Sequence, residues 1–329
     1  MAGIVVGVDG SPGSDAALAW AAAEAQRRDV AVTAILAWAP EDCPTAVLEI
    51  AYASGGPTVE TAARQVLADA VRRSARGYGA VDVRQQPVYR DAVEALLDAA
   101  AGADLLVVGR HGKGTLHRLV TGSVSTACVR KALGSVVVVP ASTAPPSSVP
   151  PRTMPLGTLP ADALPADALP AGTAPADAAP AEGGLVLVGV DGSAGSLAAL
   201  RWAAHAAARR GAATLRLVHA WSPLSLRHGA QHRPAYGRTA LASAGRAALD
   251  VCREDGLTGA ADVLVETRVA AGGAARALLT GSAAARLLVV GAGGRGEVRD
   301  LLLGSVSSQC VRDAPCPVAV VREPATRKP

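Results

Sequence analysis

The sequence repeats itself once. The opening stretch Ile4-Val5-Val6-Gly7-Val8-Asp9-Gly10-Ser11 returns as Leu187-Val188-Gly189-Val190-Asp191-Gly192-Ser193, 182 positions further on. The same offset carries Trp20 to Trp202, Gly109 to Gly291, Gly122 to Gly304, Cys128 to Cys310 and Arg130 to Arg312. A nearly constant offset over so long a stretch marks duplication of a whole folding unit, because solenoid repeats are only about 20–45 residues long. The 329 residues therefore read as two similar domains of the usual size, about 100–200 residues each.

Between the copies, proline recurs at every fifth position from Pro145 through Pro150, Pro155, Pro160, Pro165, Pro170 and Pro175 to Pro180. Repeated proline breaks helices and cannot donate to a sheet. Such composition predicts a disordered, polyproline-like spacer. The expected organisation is a first domain over 1–140, a spacer over 141–184, a second domain over 185–322 and a tail over 323–329. Extended at ~3 Å per residue, the spacer reaches ~100 Å, so it does not dictate how the domains dock.

Within the first copy, apolar runs alternate with helical composition. Strands are expected over 4–8, 31–37, 81–88, 105–108 and 136–139, and helices over 16–28, 58–76, 92–101 and 123–131. Ser11 and Pro12 supply a cap and a first-turn residue for the first helix. The second copy repeats this order. Strict β/α alternation with strands apolar on both faces implies a parallel sheet covered by helices. The fold class is α/β, two tandem doubly wound domains, each a five-stranded parallel sheet flanked by helices.

Composition excludes several classes. Mean hydropathy is +0.27, but alanine supplies it, and no apolar run approaches the ~20 residues of a membrane span. The N-terminus lacks a basic segment and a long apolar core, so no signal peptide is read and a cytoplasmic chain is expected. Phe is absent and aromatics are 2%, too few for a platform that stacks single-stranded bases. Residues 185–329 carry 18 basic and 10 acidic groups, but the arginines are scattered, as on a solvated helix surface, and no specific nucleic-acid site is read. The five cysteines form no C-x-x-C pair, and the six histidines lack metal-ligand spacing, so reduced, mostly buried thiols are expected and no independent metal site.

The glycines carry the chemistry. Gly109, Gly112 and Gly122-Ser123 follow the fourth strand with the spacing G-x2-G-x9-G-S, and Gly291, Gly294 and Gly304-Ser305 repeat it. A glycine-rich turn at the carboxyl end of a parallel strand lets backbone N–H groups approach a phosphate. The helix that Gly122-Ser123 or Gly304-Ser305 opens offers free N–H groups and a positive dipole end to the same anion. The pattern is neither a P-loop nor a dinucleotide fingerprint. Asp9 and Asp191 end the first strand of each copy. Each can accept hydrogen bonds from a ribose or adenine edge, or can order the turn into the first helix. His111 in the first glycine loop reads as a solvated histidine or a phosphate contact, and His219 as a core or rim histidine bonded to backbone.

These motifs, with Leu105-Leu106-Val107-Val108-Gly109, Leu301-Leu302-Leu303-Gly304-Ser305-Val306-Ser307 and Ala314-Pro315-Cys316-Pro317-Val318-Ala319-Val320-Val321, resemble the universal stress protein family in both copies. The resemblance implies the adenine nucleotide alpha-hydrolase-like fold of that family's ATP-binding branch, with ATP, and Mg2+ brought by its phosphates. It implies a first site at Gly7, Asp9, Gly109, Arg110, Gly112, Gly114, Gly122, Ser123 and Val124, and a second at Gly189, Asp191, Gly291, Gly294, Gly296, Gly304, Ser305 and Val306. Ala37 and Ala220, ending the second strands, would line the adenine pockets. Two departures matter. The first copy lacks the Ala-Pro-Cys-Pro lead into its last strand, and the second has Ala292 in place of Arg110.

The implied function is a nucleotide-binding, stress-response regulatory module. No nucleophile elbow or Ser-His-Asp order is present. A slow ATPase or phosphotransferase, and a nucleotide-free interaction scaffold, are the alternatives. The last strands, Val136–Val139 and Val318–Val321, form apolar edges that invite pairing. The expected partner of each is the other, in an antiparallel pseudo-dimer within one chain, with association of whole chains a further possibility of the same edges.

Overall fold

The computed structural model describes residues 3–53, 56–74, 81–110, 123–141, 184–211, 213–221, 237–293 and 303–322. The spacer, most of both glycine loops and the tail lie outside them.

The first half contains β1 (Ile4–Gly7), α1 (Pro12–Arg28), β2 (Val32–Ala37), α2 (Thr45–Ala51), α3 (Val59–Ser74), β3 (Val83–Val88), α4 (Ala92–Ala100), β4 (Leu105–Arg110), α5 (Ser123–Lys131) and β5 (Val136–Pro140). The second contains β6 (Leu185–Gly189), α6 (Ala194–Ala208), β7 (Thr214–Trp221), α7 (Arg238–Glu254), a 3-10 turn (Thr258–Asp262), β8 (Leu264–Ala271), α8 (Ala274–Ser282), β9 (Ala285–Gly291), α9 (Ser305–Asp313) and β10 (Val318–Val321). Several features depart from the sequence expectation, among them the 3-10 turn and the start of α1 at Pro12, four residues ahead of the expected 16. The seven-residue α2, behind Pro44, is too short for a periodic apolar face to be legible. The fourth strand runs two residues past its expected end, to Arg110.

Local chemistry repeats with the sequence. Ser11 caps α1 by accepting the Ser14 N–H at 3.2 Å, and Ser193 caps α6 by accepting the Ser196 N–H at 3.2 Å. Each serine satisfies one of the donors that a helix start leaves orphaned. Pro12 enters at the first turn, where its missing N–H costs nothing.

The strands form one sheet of ten, in the order β3-β2-β1-β4-β5-β10-β9-β6-β7-β8. Pairing is parallel within each half and antiparallel at the joint, where Val136, Val137 and Val138 face Val320, Ala319 and Val318. The second half thus repeats the strand order of the first in mirror sequence. The joint strands feed two cores, one on each face of the sheet, and each core runs through both halves. Val137, Val139, Ala319 and Val321 pack with the α1, α3, α6 and α7 layer. Val136, Val138, Val318 and Val320 pack with the α4, α5, α8 and α9 layer. What remains at the outer edges is blunted. Edge strand β3 (Val-Arg-Gln-Gln-Pro-Val) exposes Arg84, Gln85 and Gln86 and contains Pro87, and β8 carries Glu266 and Arg268, devices that discourage further strand addition.

Candidate functional site

In each half the strand order reverses between the first strand and the fourth, with β1 beside β4 and β6 beside β9. That switch point, outside the carboxyl ends of the strands, is where open α/β sheets bind ligands. A cavity lies there in both halves, about 450 Å3 in the first and about 500 Å3 in the second. Both are of the size that small-molecule sites occupy.

Of the expected first-site residues, Gly7, Asp9, Ala37, Gly109, Ser123 and Val124 line the first cavity. Gly189, Asp191, Ala220, Gly291, Gly304, Ser305 and Val306 line the second. Gly112, Gly114, Gly122, Gly294 and Gly296 lie outside the described residues, as does His111. Sequence reasoning missed the apolar walls. Leu96 and Leu278, Ala92 and Ala274, Val108 and Val290 occupy equivalent places in the two cavities. The offset of 182 links each pair, so the duplication carried a signal for them.

Arg110 is the exception. Expected as a phosphate contact in the first site, it does not line that cavity. Its guanidinium is turned into the other half, where it donates to the carbonyls of Val311, Arg312 and Ala314 at 3.0, 2.8 and 2.7 Å. The residue lies where the motif predicts, but the long side chain finds three bare helix-end carbonyls and satisfies them.

The aspartates order their turns. Asp9 Oδ1 accepts the Ser11 N–H at 2.9 Å. Asp191 Oδ1 accepts both the N–H and the hydroxyl of Ser193, at 2.9 and 2.6 Å. The structural role read from sequence is therefore present in both copies, in side chains that also line the cavities. Gly10 and Gly192, which follow at φ +80° and +85°, adopt a left-handed conformation that glycine tolerates best. Gly109 serves close approach: a Cβ there would lie 2.5 Å from the backbone of Gly13. The first turn of α1 is thereby held against the end of β4, forming the cavity floor.

α5 and α9 each present their first turn to a cavity, through Ser123, Val124 and Ser125 and through Ser305, Val306 and Ser307. Ser307 anchors its turn by donating to the Gly291 carbonyl at 2.6 Å. The hydroxyls of Ser123 and Ser305 remain exposed. First-turn N–H groups lack intrahelical acceptors and lie at the positive end of the dipole, so the arrangement suits an anion.

His219 is buried, and its Nδ1 meets the Val190 carbonyl at 2.7 Å, the backbone-bonded role read from sequence. Cys128, Cys252, Cys310 and Cys316 are buried and all five thiols are free. Burial pushes Cys128, Cys310 and Cys316 up to about 12, so these thiols are unreactive. Half-buried Cys43 lines the first cavity. Burial and Asp42 raise its thiol as well. Among the described residues no cluster of three metal-ligating side chains occurs, and no helix is long and apolar enough to cross a membrane.

The chain is thus a duplicated α/β protein with a cavity at each switch point, each bordered by a helix N-terminus. The model of the universal stress protein family matches residues 2–140 and 185–322, and the chain belongs to that family. A universal stress protein of Mycobacterium tuberculosis is 31% identical over 98% of this chain and 97% of its own. One of Mycolicibacterium smegmatis is 32% identical over 97% of each. Among solved structures, a universal stress protein from Archaeoglobus fulgidus covers 98% of both chains at 17% identity with a TM-score of 0.60. A universal stress protein solved in complex with cAMP matches 42% of this chain at 27% identity, with a TM-score of 0.32.

Proposed function

We propose that the chain is a regulatory module of two units, residues 1–140 and 185–322, each binding one adenine nucleotide, with ATP as the ligand. The observation that carries this reading is the repeated cavity. Equivalent residues line it in both halves, at the switch point, with a helix N-terminus on one side and an apolar slot on the other. The first-turn N–H groups and hydroxyls of Ser123 and Ser305 suit the phosphates. The slots formed by Ala37, Ile35 and Leu96, and by Ala220, Val218 and Leu278, suit a flat base. Asp9 and Asp191 are within the same cavities to accept from a ribose hydroxyl. Mg2+ enters with the phosphates, whose oxygens supply most of its ligands. Occupancy then biases the joined sheet or a surface that a partner reads.

Calorimetry of the full chain should give two ATP per chain. One site, or none, in folded protein would remove the duplicated function. Single-turnover measurements on the same sample separate binding from hydrolysis, and a cleavage rate above background would favour the slow ATPase.

Cys43 provides a reporter for the first cavity. In folded protein it should be the first of the five thiols that iodoacetamide modifies, slowly because its thiol is raised but ahead of the rest because it alone is not buried, while Cys128, Cys252, Cys310 and Cys316 wait for unfolding. ATP at ten times its Kd should slow Cys43 alkylation about tenfold, as occupancy removes the open fraction. Protection absent at that concentration would place the nucleotide elsewhere.

A further inference from the structure

We propose that Arg110 and Arg322 are positioning residues that each complete the anion-facing helix of the opposite half, so that the two cavities are coupled in trans. The inference rests on the nucleotide reading above and extends it.

The geometry is reciprocal. Arg110 follows Gly109, which lines the first cavity, yet its guanidinium binds the carboxyl end of α9 through the Val311, Arg312 and Ala314 carbonyls. The opposite end of α9 lines the second cavity through Ser305, Val306 and Ser307. In return Arg322, just past β10, donates from Nη2 to the carbonyls of Val129 and Arg130 at 2.8 and 2.9 Å. Those carbonyls end α5, whose first turn lines the first cavity.

The two arginines are not copies of one another. At the offset of 182, Arg110 corresponds to Ala292 and Arg322 to Pro140. Two unrelated positions deliver a guanidinium to the same place on the opposite helix. A cation at a helix carboxyl end satisfies bare carbonyls and stabilises the dipole whose positive end faces the ligand. Each helix is only nine residues long, so a shift at one end is carried to the other as a rigid body. Arg110 also shares a strand end with the first cavity. Movement of Gly109 on ligand binding therefore pulls directly on α9. The two clasps differ in quality. Arg110 donates to three carbonyls, whereas Arg322 donates to two and leaves its buried Nε without a partner. The larger effect is expected from Arg110.

The test is made on the full chain with ATP and Mg2+ as the probe. Ser123→Glu places a carboxylate at the first anion position and leaves the second cavity to be titrated alone. Ser305→Glu does the converse. Both substitutions add an acidic group at a helix N-terminus, where it is tolerated. In the Ser123→Glu background, Arg110→Ala should weaken ATP binding about fivefold or more. In the Ser305→Glu background the same change should leave binding within about twofold. Arg322→Ala should give the reverse pattern, with a smaller loss. Arg110→Lys, which keeps a cation but not the fork, should recover part of the affinity and serves if the alanine variant does not fold.

Equal losses at both cavities would mean that the arginines only hold the halves together, and would overturn the proposal. Loss at the first cavity alone on Arg110→Ala would make that residue a direct ligand and would overturn it too. Two-site binding insensitive to either arginine would reject the trans coupling while sparing the nucleotide function. Absence of ATP binding in the unmodified chain would reject both.

Discussion

Glu24→Gln should destabilise the folded chain by about 3–5 kcal/mol, the cost of removing one partner from a buried ion pair. Glu24 is fully buried on α1, facing the second half. Its Oε1 accepts from Arg28 Nε at 2.8 Å, and its Oε2 accepts from Arg210 Nη2 at 3.0 Å. The side chains of Arg28 and Arg210 are only 11% and 6% exposed. The two arginines are equivalents in the duplication, whereas the counterpart of Glu24 is Ala206. A single carboxylate is therefore shared between an arginine from each half at the pseudo-twofold junction, with the more exposed Arg27 a third partner at 3.6 Å. Without it, Arg28 retains the Trp202 ring, 5.4 Å below its guanidinium, a weaker cation–π contact. Arg210 retains the Ala206 carbonyl. Neither contact cancels the charge.

Calorimetric melting should show a drop of roughly 10 °C for Glu24→Gln. Glu24→Leu with Arg210→Met should restore part of the loss, since it also removes the more deeply buried of the two guanidinium groups that Glu24→Gln strands, while Arg28 stays without its carboxylate. A single substitution within experimental error of the parent would show that the cluster contributes nothing net. The pH dependence follows from the charge. Burial pushes the Glu24 carboxyl up, but Arg210 and Arg28 together pull harder and hold it below its ordinary 4.5. A depressed folded value means that the stabilisation is complete above the unfolded value and is lost as pH falls through the folded one. The melting gap between parent and Glu24→Gln should be full at neutral pH and should close below pH 4.5.

Gly109→Ala should be nearly as damaging, by about 3 kcal/mol, at the upper end of the overpacking range. The added methyl would lie 2.5 Å from both C and O of Gly13 and 2.8 Å from the Ser14 N. All three are backbone atoms of the first turn of α1, so no side-chain rotation relieves the clash. The turn must lift away from β4, opening the floor of the first cavity. The duplication supplies controls. At Gly291 the corresponding atoms of Gly195 stand 2.8 Å away, and at Gly304 the nearest atom is the Ala292 carbonyl oxygen at 3.4 Å. Alanine should therefore cost most at 109, less at 291 and little at 304, as read by chemical denaturation with the m-value held constant. A flat series would mean that the strand and helix ends yield more easily than backbone contacts allow.

The cysteines and arginines divide along a physical line. Burial of Cys128 and Cys310 was expected, because small apolar side chains in amphipathic helices have one face to occupy. Arg110 went astray because the motif defines where its Cα sits and not where a long, flexible stem delivers the charge. The carbonyls it satisfies belong to residues some two hundred positions away. Glu24 was not singled out at all, since a lone glutamate on an alanine-rich helix looks like a solvated one until its neighbours are known.

What the sequence by itself determined is what is written in local pattern. The offset of 182 established two copies, the apolar runs established buried parallel strands, and Ser11-Pro12 marked the cap and first turn of α1. The glycines and serines around 109, 123, 291 and 305 marked the carboxyl ends of β4 and β9, because turn conformation and helix capping depend on a few adjacent residues. The apolar edges already pointed to the pairing of Val136–Val138 with Val318–Val320. Tertiary structure alone decided the polar contacts between the copies: it gathered Glu24, Arg28 and Arg210, and sent Arg110 and Arg322 into opposite halves. Those outcomes depend on which surfaces meet once each half has folded. The contacts join residues far apart in the chain, where desolvation and shape, not spacing, select the partner.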